Sequence, residues 1–102
     1  MELHHLFPRA YLERKGITDL KLINQVANLT YLEWPKNITI KDDSPDQYVP
    51  IVRQSFSDEE WNHMNHMHAL PENWHLMEYG EFLKARRILL AQIIKKGFES
   101  FR

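Results

Sequence analysis

The run Glu2-Leu3-His4-His5-Leu6-Phe7-Pro8 restricts this chain more than any other stretch. It places two adjacent imidazoles inside an apolar segment. In an extended backbone successive side chains point to opposite faces, so His4 and His5 cannot share one burial role. One can face a metal while the other faces a substrate. Asn28 and Asn37, downstream, offer two amides to complete such a site.

With 102 residues the chain is expected to form a single domain, burying about 65% of the surface its unfolded form exposes. A composition of 43% hydrophobic and 26% charged residues is ordinary for a soluble globular protein. No apolar run approaches the roughly 20 residues needed to span a bilayer. Met1 leads directly into acidic and histidine residues, unlike a signal peptide. The absence of cysteine excludes disulfides and thiolate metal sites. Any metal must therefore use His, Asp, Glu, Asn or water, and the expected compartment is the cytoplasm. A net charge of −1 argues against a domain that holds DNA by charge alone. It leaves open a catalytic module acting on nucleic acid gathered by something else.

Residues 2–7 read as a short strand ended by Pro8. Pro8 also suits the first turn of a helix over 9–15 that Gly16 stops. Thr18 or Asp19 caps a second helix reaching about Val26, through Leu20, Leu22 and Ile23. Residues 28–34 form the second strand candidate, and Pro35 opens an element with Asn37 in its first turn. Ser44, Pro45 and Asp46 start a helix carrying Tyr48, Val49 and Val52, which Pro50 is expected to keep short. Ser57 with Glu60 matches a capping box for a helix to about Met67 or Ala69. Pro71 begins a turn or one-turn helix through Trp74. The last segment, 77–101, carries an apolar stripe of Phe82, Leu83, Leu89, Leu90, Ile93, Ile94, Phe98 and Phe101. Trp34, Trp61 and Trp74 are expected in the core. The fold class expected is α+β, mostly helical.

If strand 2–7 pairs antiparallel with strand 28–34 and the segment from Pro35 packs across them, His4, His5, Asn28 and Asn37 converge. At this point the sequence resembles the HNH (His-Me finger) endonucleases. Their motif is an Asp/Glu/His–His pair before a Pro, an Asn opening the second strand, and a His or Asn nine residues later. Here His4-His5 precede Pro8, and Asn28 to Asn37 is nine residues. The stretches Leu3-His4-His5-Leu6-Phe7-Pro8-Arg9-Ala10-Tyr11-Leu12, Ile23-Asn24-Gln25-Val26-Ala27-Asn28-Leu29-Thr30-Tyr31-Leu32 and Ser44-Pro45-Asp46-Gln47-Tyr48 resemble one branch. So does Tyr79-Gly80-Glu81-Phe82-Leu83-Lys84-Ala85-Arg86-Arg87. That branch is the C-terminal nuclease domain of GmrSD-type restriction systems.

The resemblance implies a short β-hairpin plus helix (a ββα-metal finger) packed against further helices, including a long C-terminal one. It implies a metal-dependent endonuclease that hydrolyses DNA phosphodiester bonds in a restriction or defence system. His5 would be the general base and Asn28 its positioning amide. His4 and Asn37 would bind one divalent metal (Mg, Mn, Ni or Zn), with His4 shifting preference away from Mg²⁺. Relatives of the colicin type carry a second helix His where Lys41 stands, and a lysine cannot ligate. The chain is expected to be the C-terminal part of a larger protein with an N-terminal nucleotide-dependent restriction domain as partner.

Arg86 shares the side of Phe82, Leu89, Leu90 and Ile93, where a guanidinium can grip a substrate phosphate. The alternative is an ion-paired or snorkelling arginine beside Glu81 or Asp19. Lys84, Arg87 and Lys95 read as a solvated face. His63, His66 and His68, with His75 nearby, form a competing metal candidate or simply an amphipathic helix with solvated imidazoles. Two further readings stay open. One is a catalytically degenerate HNH-fold module that binds DNA or a partner domain. The other is a helical scaffold whose His63/His66/His68 cluster binds metal.

Overall fold

The computed structural model of the chain describes residues 2–32 and 43–99. It is α+β and mostly helical. Strand β1 (Glu2–His5) is followed by helices α1 (Arg9–Arg14) and α2 (Leu20–Ile23), a 3-10 turn (Val26–Asn28) and strand β2 (Leu29–Leu32). Then come α3 (Pro45–Arg53), α4 (Asp58–Met67), a second 3-10 turn (Trp74–Leu76) and the long α5 (Tyr79–Glu99). The two strands pair antiparallel with Glu2 opposite Leu32 and His5 opposite Leu29. No helix among the described residues is long and apolar enough to cross a membrane.

The first strand is shorter than its sequence implies, stopping at His5 rather than residue 7. Leu6 and Phe7 are consecutive yet both fully buried, which the alternation of a strand forbids. The backbone bends there and drops both side chains into the core. The Phe7 ring lies 4.7 Å from Phe82, 5.3 Å from Tyr79 and 6.1 Å from Trp74, centroid to centroid. Offset and tilted aromatic contacts of this kind add to the area they bury. The histidine pair is thus anchored by its C-terminal neighbours.

Helix α2 also ends early, at Ile23, although Asp19 caps it as expected by accepting from the Lys21 amide. Gln25 is extended and Val26 is exposed, so the helical spacing of Val26 with Ile23 does not correspond to a shared face. Pro50 sits inside α3 without stopping it. Pro50 is exposed, so the carbonyl one turn earlier can turn towards water instead of an amide. Gly16 takes a φ of +89° at the stop of α1, where a side chain would be strained.

Helix α4 has the anticipated capping box. The Ser57 hydroxyl accepts from the Glu60 amide, and the Glu60 carboxylate accepts from the Ser57 amide, which holds the Glu60 pKa below its ordinary value. Its other end closes with the Ala69 amide donating to His66 and the Leu70 amide to Asn65. This is a Schellman closure, with Ala69 in the left-handed region at φ 55° where glycine is commoner. Trp61 and Trp74 are buried as expected; Trp34, Pro35, Lys41 and Phe101 lie outside the described residues.

Candidate active site

The strand register distributes the two histidines. His4 stands opposite Thr30 and His5 opposite Leu29, so each pair occupies its own face of the two-stranded sheet. Both imidazoles are half-buried, which leaves each within reach of solvent and of a ligand. Thr30, on the face shared with His4, is buried, and its Oγ1 lies 3.3 Å from Nδ1 of His68 at the end of α4. On the other face, His5 Nε2 is 2.8 Å from Oδ1 of Asn24. With that carboxamide oxygen as acceptor, Nε2 carries the ring proton and Nδ1 keeps its lone pair.

Asn28 is 0% exposed and is the fastening of the site. Its Oδ1 accepts from the Phe7 amide at 2.7 Å, and its Nδ2 donates to the Phe7 carbonyl at 3.0 Å. The same Nδ2 donates to the Ile23 carbonyl at 3.0 Å. The Leu6 amide donates to the Asn28 carbonyl at 2.8 Å. Asn28 therefore clamps the two residues after His5 by main chain and side chain, the amide-to-loop form of restraint. Tyr48 adds a bond from its hydroxyl to the Leu6 carbonyl, and burial raises its pKa far above the phenolic value. Tyr79 donates to the Leu22 carbonyl at 2.7 Å and to that of Ile23 at 3.3 Å; burial pushes its pKa up to about 12.

Arg86 is drawn inward, as its place in the apolar stripe implies, but its donors meet main-chain carbonyls. Nη1 donates to Ala27 at 2.9 Å and Leu29 at 2.7 Å, with Val26 at 3.5 Å, and Nη2 to His68 at 3.3 Å. At 3% exposure the guanidinium expected to grip a phosphate is instead a bolt between α5, β2 and the end of α4. Burial lowers its pKa to about 10, so it stays charged at neutral pH. The alternative of an ion pair with Glu81 or Asp19 is likewise not what it forms.

His4, His5 and Asn28 are thus brought to one sheet end, and Arg86 braces the strand behind them. Asn37 lies outside the described residues. His63 and His66 are exposed on α4, whereas His68 lies past the helix end, tied to Thr30. Among the described residues no group of three or more His, Cys, Asp or Glu could hold a metal ion. Sequence reasoning missed Asn24 and Tyr79 as site-holding groups. For Tyr79 the available signal was its spacing, one turn before Phe82 and Leu83; Asn24, just past the end of α2, carried none.

No protein-family model, curated protein or solved structure matches this chain.

Proposed function

We propose that this chain is a metal-dependent HNH-type endonuclease domain that hydrolyses DNA phosphodiester bonds. The observation that carries the reading is the double clamp of Asn28 on the main-chain N–H and C=O of Phe7, two residues after His5. A fully buried amide that satisfies both main-chain polar groups of one residue holds the strand exit in place, the preorganisation a reacting imidazole needs.

In this reading His5 takes a proton on Nδ1 from the water that attacks phosphorus, while Asn24 holds the ring through Nε2. With Nε2 donating to Asn24, the lone pair on Nδ1 is the position that can accept the proton. The metal would be held by His4 and Asn37. An imidazole and a carboxamide oxygen fit a divalent ion that keeps most of its coordination for water and phosphate oxygens. Once bound it would neutralise charge building on the phosphate and the departing 3′ oxygen. A restriction or defence role, with a nucleotide-dependent partner domain, belongs to the same proposal and rests on the resemblance alone.

The test is nicking of supercoiled plasmid in Mn²⁺ or Ni²⁺ by the wild type and by His5→Ala. The expected result is at least about a hundredfold slower nicking for His5→Ala, the usual worth of a general base. Equal rates would remove His5 from the chemistry. A wild type that binds DNA but never nicks it would instead identify a binding module on the same scaffold.

A further inference from the structure

Arg87 follows the buried Arg86 and is exposed, yet its guanidinium is held in place. Nη2 donates to Oε1 of Gln25 at 2.9 Å. Gln25 is itself fastened, its Nε2 donating to the Lys21 carbonyl at 2.8 Å. Its chain neighbour is Asn24, the residue 2.8 Å from His5. Two successive side chains therefore hold, one each, the imidazole of His5 and the guanidinium of Arg87. The Arg87 charge is felt at Tyr79, where it opposes the larger upward shift that burial gives the phenol.

The cation does not stand alone. Lys84, three residues earlier on α5, and Lys21 on α2 are both exposed. The exposed carboxylates Asp19 and Glu81 lie on the same two helices, so it is the held geometry of Arg87, not net charge, that marks the α2–α5 seam.

Building on the nuclease reading, we propose that Arg87 is a substrate-binding residue, gripping the DNA backbone phosphate beside the one attacked at His5, with Lys21 and Lys84 extending the track. Gln25 takes only one of the five N–H donors of the guanidinium, which leaves a fork that matches phosphate oxygens. The bond to Gln25 orders a long side chain before DNA arrives, reducing the ordering cost on binding.

Binding of a short labelled duplex, followed by fluorescence anisotropy in chelator over a salt series, tests this in the His5→Ala background. Arg87→Gln is expected to weaken binding several-fold and to lower the slope of log affinity against log salt by about one. Arg87→Lys should keep the slope, since the charge remains, and lose part of the affinity. Lys96→Gln, far along α5, should change neither quantity. An unchanged slope in Arg87→Gln, with the parent binding normally, overturns the proposal and leaves the nuclease reading standing. A parent that binds no duplex at low salt overturns it as well. The nuclease reading falls with it only if the His5-intact protein also fails to nick plasmid.

Discussion

One apolar stripe runs the length of α5, but its two halves have different surroundings. The first half buries Tyr79, Phe82, Leu83 and Arg86, whereas the second leaves Ile93, Ile94 and Phe98 exposed, the last by 72%. The first half is covered because the segment from Leu22 to Leu29 lies on it, tied by Tyr79 and Arg86 to main-chain carbonyls. The Phe7 ring, beside the histidine pair, completes the cover against Phe82. Helical periodicity identifies which face is apolar, not whether another element covers it. The covered half is also where the candidate active site is built, so fold and site share one set of contacts.

The sharpest way to break this comparison is to truncate one aromatic in each half. Phe82→Ala is expected to cost about 3–5 kcal/mol, the range for emptying a packed aromatic site. Phe98→Ala should stay within about 0.5 kcal/mol, as for an exposed substitution. Urea unfolding of both variants decides it, and equal midpoints would show that the second half is covered after all. Next comes the polar contrast between neighbours. Arg86→Met leaves the Ala27, Leu29 and His68 carbonyls without this donor and is expected to cost about 3 kcal/mol. Arg87→Met, exposed one position later, should be nearly neutral in the same measurement. If Arg86→Met proves as mild as Arg87→Met, the bolt carries no weight and water satisfies those carbonyls.

Much of this architecture is legible in the sequence because it is governed by local rules. The Ser57 and Glu60 box, the Asp19 cap, the Gly16 stop and the stripe of α5 each follow from residue types within one or two turns. What the sequence hides depends on distant partners. The bend after His5 requires Asn28, 21 residues away from Phe7, to take both main-chain polar groups of that residue. The function of Arg86 requires carbonyls some 59 residues earlier in the chain. A stripe position can announce that an arginine turns inward, but only the tertiary contact decides between phosphate and main chain. For the site, His4, His5 and Asn28 could be picked out by type and spacing, while Asn24 has no such mark because an amide at a helix end is ordinary.

The smallest expected effect concerns pH and acts on the covered half alone. Burial first, and then the positive charge of Arg86, hold the His68 pKa below its ordinary value; burial does the same for His75, with Asp46 opposing. The groups facing His68 are Thr30, across the sheet from His4, and Arg86. A histidine whose folded pKa is lowered binds fewer protons folded than unfolded. Its contribution to stability is therefore complete above the unfolded value of about 6.5 and is lost as pH falls through that value towards the folded one. Melting temperature should accordingly decline between about pH 7 and pH 5, a window that ends above the carboxylate range, about 4.3, where Glu60 begins to matter. His68→Gln keeps a polar partner for Thr30 but removes the titration, so its melting temperature should decline less steeply over that window. A decline as steep as in the wild type would assign the pH dependence to His75 and separate it from the Arg86 contacts. The exposed half of α5 would then differ from the covered half in packing alone.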